Sequence, residues 1–219
     1  MRMSKLPTFS RTGDYPHYTV RKADRTLTFA FTKDISHIEE YCRLRKTLYT
    51  DDKKFRGFRF FDYRVDETKC CMSENSHLML VFDQKEVIGG ACMTVSHRDA
   101  KLLLPLEYDI RTDYPEFRIS DAFPDLELDG LLYGEASSLV LHPDFRKEGV
   151  MDDLFAALRV FCNQERIVYV FILANLVRAR MYQQSSRMVD VPFFVNRSFD
   201  VPQKSDYEDE KMYLMSCVP

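Results

Sequence analysis

The stretch with the clearest chemistry runs from Leu141 to Met151 and reads L-H-P-D-F-R-K-E-G-V-M. Before it, Leu131 to Leu141 is apolar and alternating, the pattern of a half-buried strand. Pro143 ends that strand because proline cannot donate to a sheet ladder. After it, Val150, Leu154 and Leu158 recur at helical spacing. A strand delivered into a helix through a loop of free backbone N–H groups aims those donors and the helix dipole at one point, which suits an anion. We read Arg146, Lys147, Glu148, Gly149, Val150 and Met151 as a phosphate cradle.

Other reactive residue types fall into weaker patterns. The histidines at 17, 37, 77, 97 and 142 form no metal pair and no nucleophile triad. Asp62, Asp66 and Glu67 lack the glycine and terminal glutamate of a calcium loop, so no metal ligand is assigned. Ser137-Ser138 lacks the flanking glycines of a hydrolase elbow, which disfavours a covalent serine. The six cysteines, at 42, 70, 71, 92, 162 and 217, include no C-x-x-C pair and read as reduced, packed thiols.

The elements that must position the cradle follow from periodicity. The chain has 219 residues, 45% hydrophobic and 30% charged, which suits one globular domain with a sizeable core. A net charge of −3 offers no general attraction to nucleic acid or to an anionic membrane. The first residues carry no long apolar run, so a cytoplasmic protein is expected. Residues 1–24 read as a partly ordered arm and 25–219 as a single domain. Within it, Thr26 to Thr32 alternates as a strand, and Asp34 can cap a helix carrying Ile35, Ile38, Cys42, Leu44, Leu48 and Tyr49. Asp51 to Asn75 reads as loops over a cleft. His77–Asp83 and Glu86–Ser96 form a hairpin, with Gly89 and Gly90 marking a bulge or a close backbone approach. A short strand over Lys101–Leu106 and a turn or short helix over Ile119–Leu126 precede the central strand. Arg166–Leu173 is a strand, Asn175–Arg187 a helix, and Val189–Val195 and Lys211–Val218 two last strands around the acidic loop Ser205–Glu210. The order predicts an α/β (α+β) fold with a mixed, mostly antiparallel twisted sheet and helices on both faces.

The run Leu141-x-Pro143-x-x-Arg146-x-x-Gly149-Val150 resembles the coenzyme A loop of the GCN5-related N-acetyltransferases. Met151 stands where that family has Gly or Ala, and Asp152 and Asp153 must point away from a bound diphosphate. Asn175 and Tyr182 have the spacing of the family's Asn and Tyr on the helix after the fifth strand, with Arg178 in place of the usual alanine. A narrower resemblance, over residues 38–142, is to the acyl-homoserine-lactone synthases and related N-acyl amino acid synthases. It rests on Leu44-Arg45-x-x-Leu48-Tyr49 with Phe55, on Phe61-Asp62-Tyr63 with Asp66, and on Val87-Ile88-Gly89-Gly90. It continues through Ile119–Leu126 and Glu135-Ala136-Ser137-Ser138. Ser138 and Cys92 stand where the lactone synthases carry arginine, so S-adenosylmethionine is not carried over as substrate.

The resemblance implies an acyltransferase fold and transfer of an acyl group from a thioester to an amine. The amine must lose a proton, the carbonyl must be polarised and the thiolate must gain a proton. Glu135 is the candidate base and Tyr182 the candidate acid, while a backbone N–H near Leu139 or Val140 is the oxyanion donor. Leu139, Val140 and Leu141 would pair with pantetheine like an added strand, Asn175 completes the coenzyme side, and Arg45, Tyr49 and Phe55 line the acceptor side. The cofactor expected is acetyl-CoA or a longer acyl-CoA, and the partner a small-molecule amine. Two alternatives stand beside this: an N-acyl amino acid or signal synthase fed by acyl carrier protein phosphopantetheine, and a module of this fold that binds without turnover.

Overall fold

A computed structural model describes residues 10–11, 16–22, 25–51, 75–96, 104–111, 114–190, 192–200 and 211–219. Strands β1 (Ser10–Arg11), β2 (Pro16–Lys22) and β3 (Arg25–Thr32) lead to helix α1 (Ile35–Asp51) and the hairpin β4 (Ser76–Asp83) and β5 (Glu86–Val95). Short helices α2 (Pro105–Arg111) and α3 (Ile119–Ala122) precede β6 (Leu132–Leu141). Then come α4 (Val150–Glu165), β7 (Ile167–Asn175), α5 (Leu176–Met188), β8 (Phe194–Asp200) and β9 (Lys211–Cys217). Among the described residues nine strands form one sheet in the order β1-β2-β3-β4-β5-β6-β7-β9-β8. Among the described residues only β6 and β7 run parallel, as the crossover through α4 requires; the mixed, mostly antiparallel sheet expected from the sequence is present.

Strand alternation sorts the core into two layers. One face of the sheet supplies Leu27, Phe29, Phe31, Met79, Val81, Ala91, Met93, Val170 and Ile172, packed against Leu154, Ala157, Leu158 and Phe161 of α4 and Ala179 and Tyr182 of α5. The other face holds two clusters. Leu78, Leu80 and Cys92 meet Ile38, Tyr41 and Cys42 of α1, while Phe171 and Leu214 meet Leu106, Ile119 and Phe123. Each fully buried aliphatic or aromatic side chain contributes roughly 1.5–3 kcal/mol. The N-terminus of α1 is closed by Asp34, whose Oδ1 accepts the Ser36 N–H at 2.8 Å. At the end of α4, Arg166 takes a left-handed φ of 59°.

Three sequence expectations shift. Pro16–Lys22, within the stretch read as an arm, is a strand registered on β3 from His17↔Ala30 to Lys22↔Arg25. The strand expected over Lys101–Leu106 gives way, in its described part, to the start of α2: Pro105 is unable to donate to a ladder but is pre-set for a first helical turn. The strand expected over Val189–Val195 begins only at Phe194. Val189 and Asp190 instead cap α5, their N–H groups donating to Ser186 and Arg187 carbonyls at 3.2 Å each, and Asp190 has φ 58°. The Asp51–Asn75 loops, save their ends, and the Ser205–Glu210 loop lie outside the described residues.

Gly89 and Gly90 combine both features expected of them. The β4–β5 register shifts by one residue between Val81 and Phe82, leaving Ile88 as the extra residue. A Cβ on Gly89 would lie 2.7 Å from the Val140 carbonyl oxygen, and one on Gly90 would lie 2.5 Å from that of Met79. Cys42, Cys92, Cys162 and Cys217 are buried, and burial pushes the Cys162 thiol up to about 12.

Two outcomes follow for stability. Gly90→Ala forces two backbones apart and should cost about 3 kcal/mol, read as a lower midpoint in urea unfolding, whereas an exposed Gly130→Ala should cost about 1 kcal/mol. His77 packs on the Phe161 ring at 4.9 Å, and burial, then the Lys33 charge, lower its pKa from 6.5. The unfolded chain therefore takes up the proton first, so this contribution to stability is present above pH 6.5 and lost as pH falls below it. Melting curves from pH 7.5 to 5 should show wild type losing Tm faster than His77→Gln; parallel curves would refute the assignment.

Candidate functional site

The centre of the molecule is the place where β6 and β7 part. Their register runs Leu132↔Ile167, Tyr133↔Tyr169, Gly134↔Val170 and Glu135↔Phe171. Beyond it, Ala136–Leu141 of β6 is registered only on β5, and Ile172–Asn175 of β7 only on β9, among the described residues. The sheet thus opens into a wedge towards the carboxyl ends of the two parallel strands. Ser137, Ser138 and Leu139 are each half-buried although they lie mid-strand in the interior of the sheet. Consecutive residues point to opposite faces of a strand, so exposure of all three marks an open edge rather than a bare face.

A bulge lies within this open edge. Gly90 pairs with Val140 and Cys92 with Ser137, so Ser138 and Leu139 together oppose Ala91. Ser138 adopts φ 57°, the left-handed region that costs a non-glycine residue roughly 1–2 kcal/mol. The Ser138 carbonyl accepts a hydrogen bond from the Tyr41 hydroxyl of α1. The bulge also resets the alternation. Tyr133 packs on the α2 and α3 side and Ala136 on the α4 side, but after the bulge Leu139 and Leu141 pack on the α4 side and Val140 meets α1.

The loop from the wedge into α4 is tied down at several points. His142 N–H donates to the Ile88 carbonyl at 2.8 Å, Arg146 Nε donates to the Leu141 carbonyl at 3.1 Å, and Phe145 is buried with the Arg25 guanidinium 5.0 Å from its ring centroid. Gly149 has φ 69° and gives α4 no side-chain cap. Arg146 and Lys147 are exposed and Glu148 is half-buried. Met151, which stands in the loop's last position, turns into the core at 8% exposure, and Val150 is fully buried, so neither side chain crowds the helix N-terminus. The Asp153 carboxylate turns to β2 and is paired there, its Oδ2 2.6 Å from Lys22 Nζ. Burial raises the Asp153 pKa above its ordinary value, against the opposing pull of Lys22. Lys22 Nζ is also 3.5 Å from where a Gly149 Cβ would stand. Nothing in the sequence marked Lys22, because β2 carries a register to the cradle that no local pattern encodes.

Glu135, 4% exposed, sits at the apex of the wedge, and its Oε2 accepts the Leu106 N–H of α2 at 2.7 Å. Beside it, buried Glu107 accepts Leu104 N–H at 2.8 Å and Ile119 N–H at 2.9 Å. Glu135 thus fastens α2 to the sheet and Glu107 ties α2 to α3, and the nearby Glu107 charge adds to burial in raising the Tyr133 pKa. Asn175 ends β7 and caps α5, its Oδ1 accepting the Arg178 N–H at 3.0 Å. Tyr182 is buried, its ring edge-on to Phe155 at 5.8 Å. Arg45 is buried one turn along α1 from Tyr41, its guanidinium 5.9 Å from that ring centroid. Phe55 lies outside the described residues, as does the Tyr49 side chain, although the Tyr49 backbone belongs to α1. Glu135, Leu139–Leu141 and the 146–151 loop are therefore brought along one edge of one strand, with Asn175 at the end of the strand that faces it. Among the described residues no group of three or more His, Cys, Asp and Glu side chains could hold a metal, and no helix is long and apolar enough to cross a membrane.

No family model and no curated protein matches the sequence. Solved structures do match the fold. FeeM, an N-acyl amino acid synthase from uncultured soil microbes, aligns at a TM-score of 0.62 with 10% identity, covering 88% of this chain and 90% of its own. A putative arylalkylamine N-acetyltransferase from the yellow fever mosquito aligns at 0.61 with 13% identity, covering 98% and 97%. BjaI, a CoA-dependent acyl-homoserine lactone synthase solved with SAM and isopentyl-CoA, aligns at 0.56 with 13% identity, covering 84% and 76%. The chain has the mixed α/β architecture of the GNAT-like acyltransferases.

Proposed function

We propose that the protein is an acyltransferase that moves an acetyl or longer acyl group from a CoA thioester to the amine of a small molecule. The observation that carries this is the wedge: a half-exposed, bulged strand edge that leads into a loop and the N-terminus of α4. A pantetheine arm offers amide donors and acceptors along an extended chain. The open edge of Leu139–Leu141 is complementary to it in the way a sheet edge accepts a further strand. The diphosphate would lie against the amides of residues 146–151, where the α4 dipole favours negative charge.

In the reaction the amine nitrogen attacks the thioester carbonyl carbon, a C–N bond forms and the C–S bond breaks. Glu135 takes the amine proton, directly or through water, and Tyr182 returns one to the departing sulfur. The Leu139 N–H stabilises the oxyanion between those events. The acceptor side is assigned to Arg45, Tyr49 and Phe55.

A second reading has its own observation. Helix α5, which starts where the wedge opens, carries Arg178, Arg180 and Arg187 and no acidic residue, with Val177, Met181 and Met188 exposed. A basic and apolar helix suits an acidic carrier, so a donor delivered on acyl carrier protein remains the alternative.

Calorimetry with CoA, followed by thiol-release assays across amines and acyl lengths on CoA and on carrier protein, tests both. Micromolar CoA binding with turnover is expected; no binding of either donor would remove the reading, and binding without turnover would favour a ligand-binding module. Glu135→Gln keeps an acceptor for the Leu106 N–H yet cannot take a proton, so kcat should fall about 10²–10⁴-fold with Tm little changed. An unchanged kcat would assign Glu135 to structure alone. Gly149→Ala places a methyl at positive φ beside Lys22 and should weaken CoA about tenfold in the same calorimetry while costing roughly 1 kcal/mol of stability.

A further inference from the structure

We propose that Tyr41 is a positioning residue for acyl transfer: by holding the Ser138 carbonyl, its hydroxyl aims the Leu139 N–H into the wedge as the oxyanion donor. This rests on the acyltransferase reading and names a part of the site that the sequence did not.

The argument begins with one peptide unit. The Ser138 carbonyl and the Leu139 N–H belong to the same planar, trans peptide and point in opposite directions. Whatever fixes the carbonyl therefore fixes the donor. The Tyr41 hydroxyl donates to that carbonyl across 97 residues of chain, from a helix that packs over β4 and β5. The Leu139 N–H is thereby turned away from α1.

The arrangement is built to hold. Tyr41 is fully buried, and its ring lies over Gly90, where a Cβ would come within 3.1 Å of a ring carbon. Gly90 is the residue paired with Val140 across the bulge, so the absent side chain is what admits the ring beside Ser138. The Arg45 guanidinium lies on the same ring's surroundings at 5.9 Å from the centroid. Ser138, at φ 57°, would relax towards the extended backbone of its neighbours without a partner for its turned carbonyl. Relaxation would erase the bulge and move Leu139 to the other face of the sheet, because a one-residue slip flips the alternation. A hydrogen bond to the carbonyl also polarises the peptide and makes the N–H on its far side a better donor.

The probe is acetyl-CoA with a 13C carbonyl, followed by isotope-edited infrared spectroscopy, calorimetry and steady-state kinetics. Wild type should shift the bound carbonyl stretch to lower wavenumber. Tyr41→Phe keeps the ring and should bind CoA within about threefold of wild type, lose most of the shift, and lose about 10- to 100-fold in kcat with KM little changed. If Tyr41→Phe is too unstable to assay, Tyr41→Phe/Ser138→Gly carries the test, since glycine holds the left-handed backbone unaided. Partial recovery of the shift and of kcat in the double variant supports the role. A Tyr41→Phe protein with the wild-type shift and kcat overturns it, as does a folded double variant with neither recovered. Failure of wild type to bind CoA removes the CoA-dependent reading and this inference together, whereas binding with an unaffected Tyr41→Phe removes this inference alone.

Discussion

A backbone amide or carbonyl buried without a partner is expensive, so a sheet interior normally leaves no strand edge unpaired. Here two neighbouring parallel strands stop pairing part-way along. β6 and β7 share a ladder as far as Glu135 and Phe171 and then separate, each continuing with its other neighbour. Among the described residues no strand pairs with that edge, and such an edge persists where it is open to solvent or to something that can pair with it. Every other feature of the site is arranged around that opening. The bulge turns a peptide within it, the proline-ended loop closes its far end, and α4 and α5 start beyond its two walls.

The surrounding structure keeps the two strands apart without disordering them. On one side α4 buries Val150, Leu154, Ala157 and Leu158 against the sheet, which fixes where its N-terminus lies. On the other side the buried carboxylates of Glu135 and Glu107 accept backbone N–H groups of Leu106, Leu104 and Ile119. Removing one of those carboxylates would leave buried donors unmet, a cost of about 1–3 kcal/mol each. Glu135 therefore has a structural duty whatever its chemistry, and the same holds for Asn175 as the cap of α5.

Much of the architecture was legible because it depends on pattern. Alternation in Thr26–Thr32, the polar turn between the two hairpin strands, helical spacing in α1 and α4, and the stop at Pro143 are local properties of the chain, and the elements lie where those properties put them. The same reasoning explains how solved structures sharing 10–13% of residues superpose over most of the chain. Layers of apolar side chains specify a fold through their period, and many residue choices satisfy one period. Local pattern misled at two places besides Pro16–Lys22, which pairs with β3 as β2. Pro105 starts α2 inside a run of leucines, and the turn at Val189–Asp190 is held by the end of α5 rather than by its own residues.

The sequence by itself determined most of the elements, their order, and the strand–loop–helix unit at Pro143 and Gly149, because proline, glycine and the apolar period act within a few residues. Only the tertiary structure decided that β6 and β7 diverge, that Met151 turns inward, that Lys22 stands beside Gly149 and that Tyr41 grips Ser138. Those facts depend on sheet register and on which helix covers which face. Contacts between residues tens of positions apart are set by packing of the whole sheet, and no window along the chain contains them.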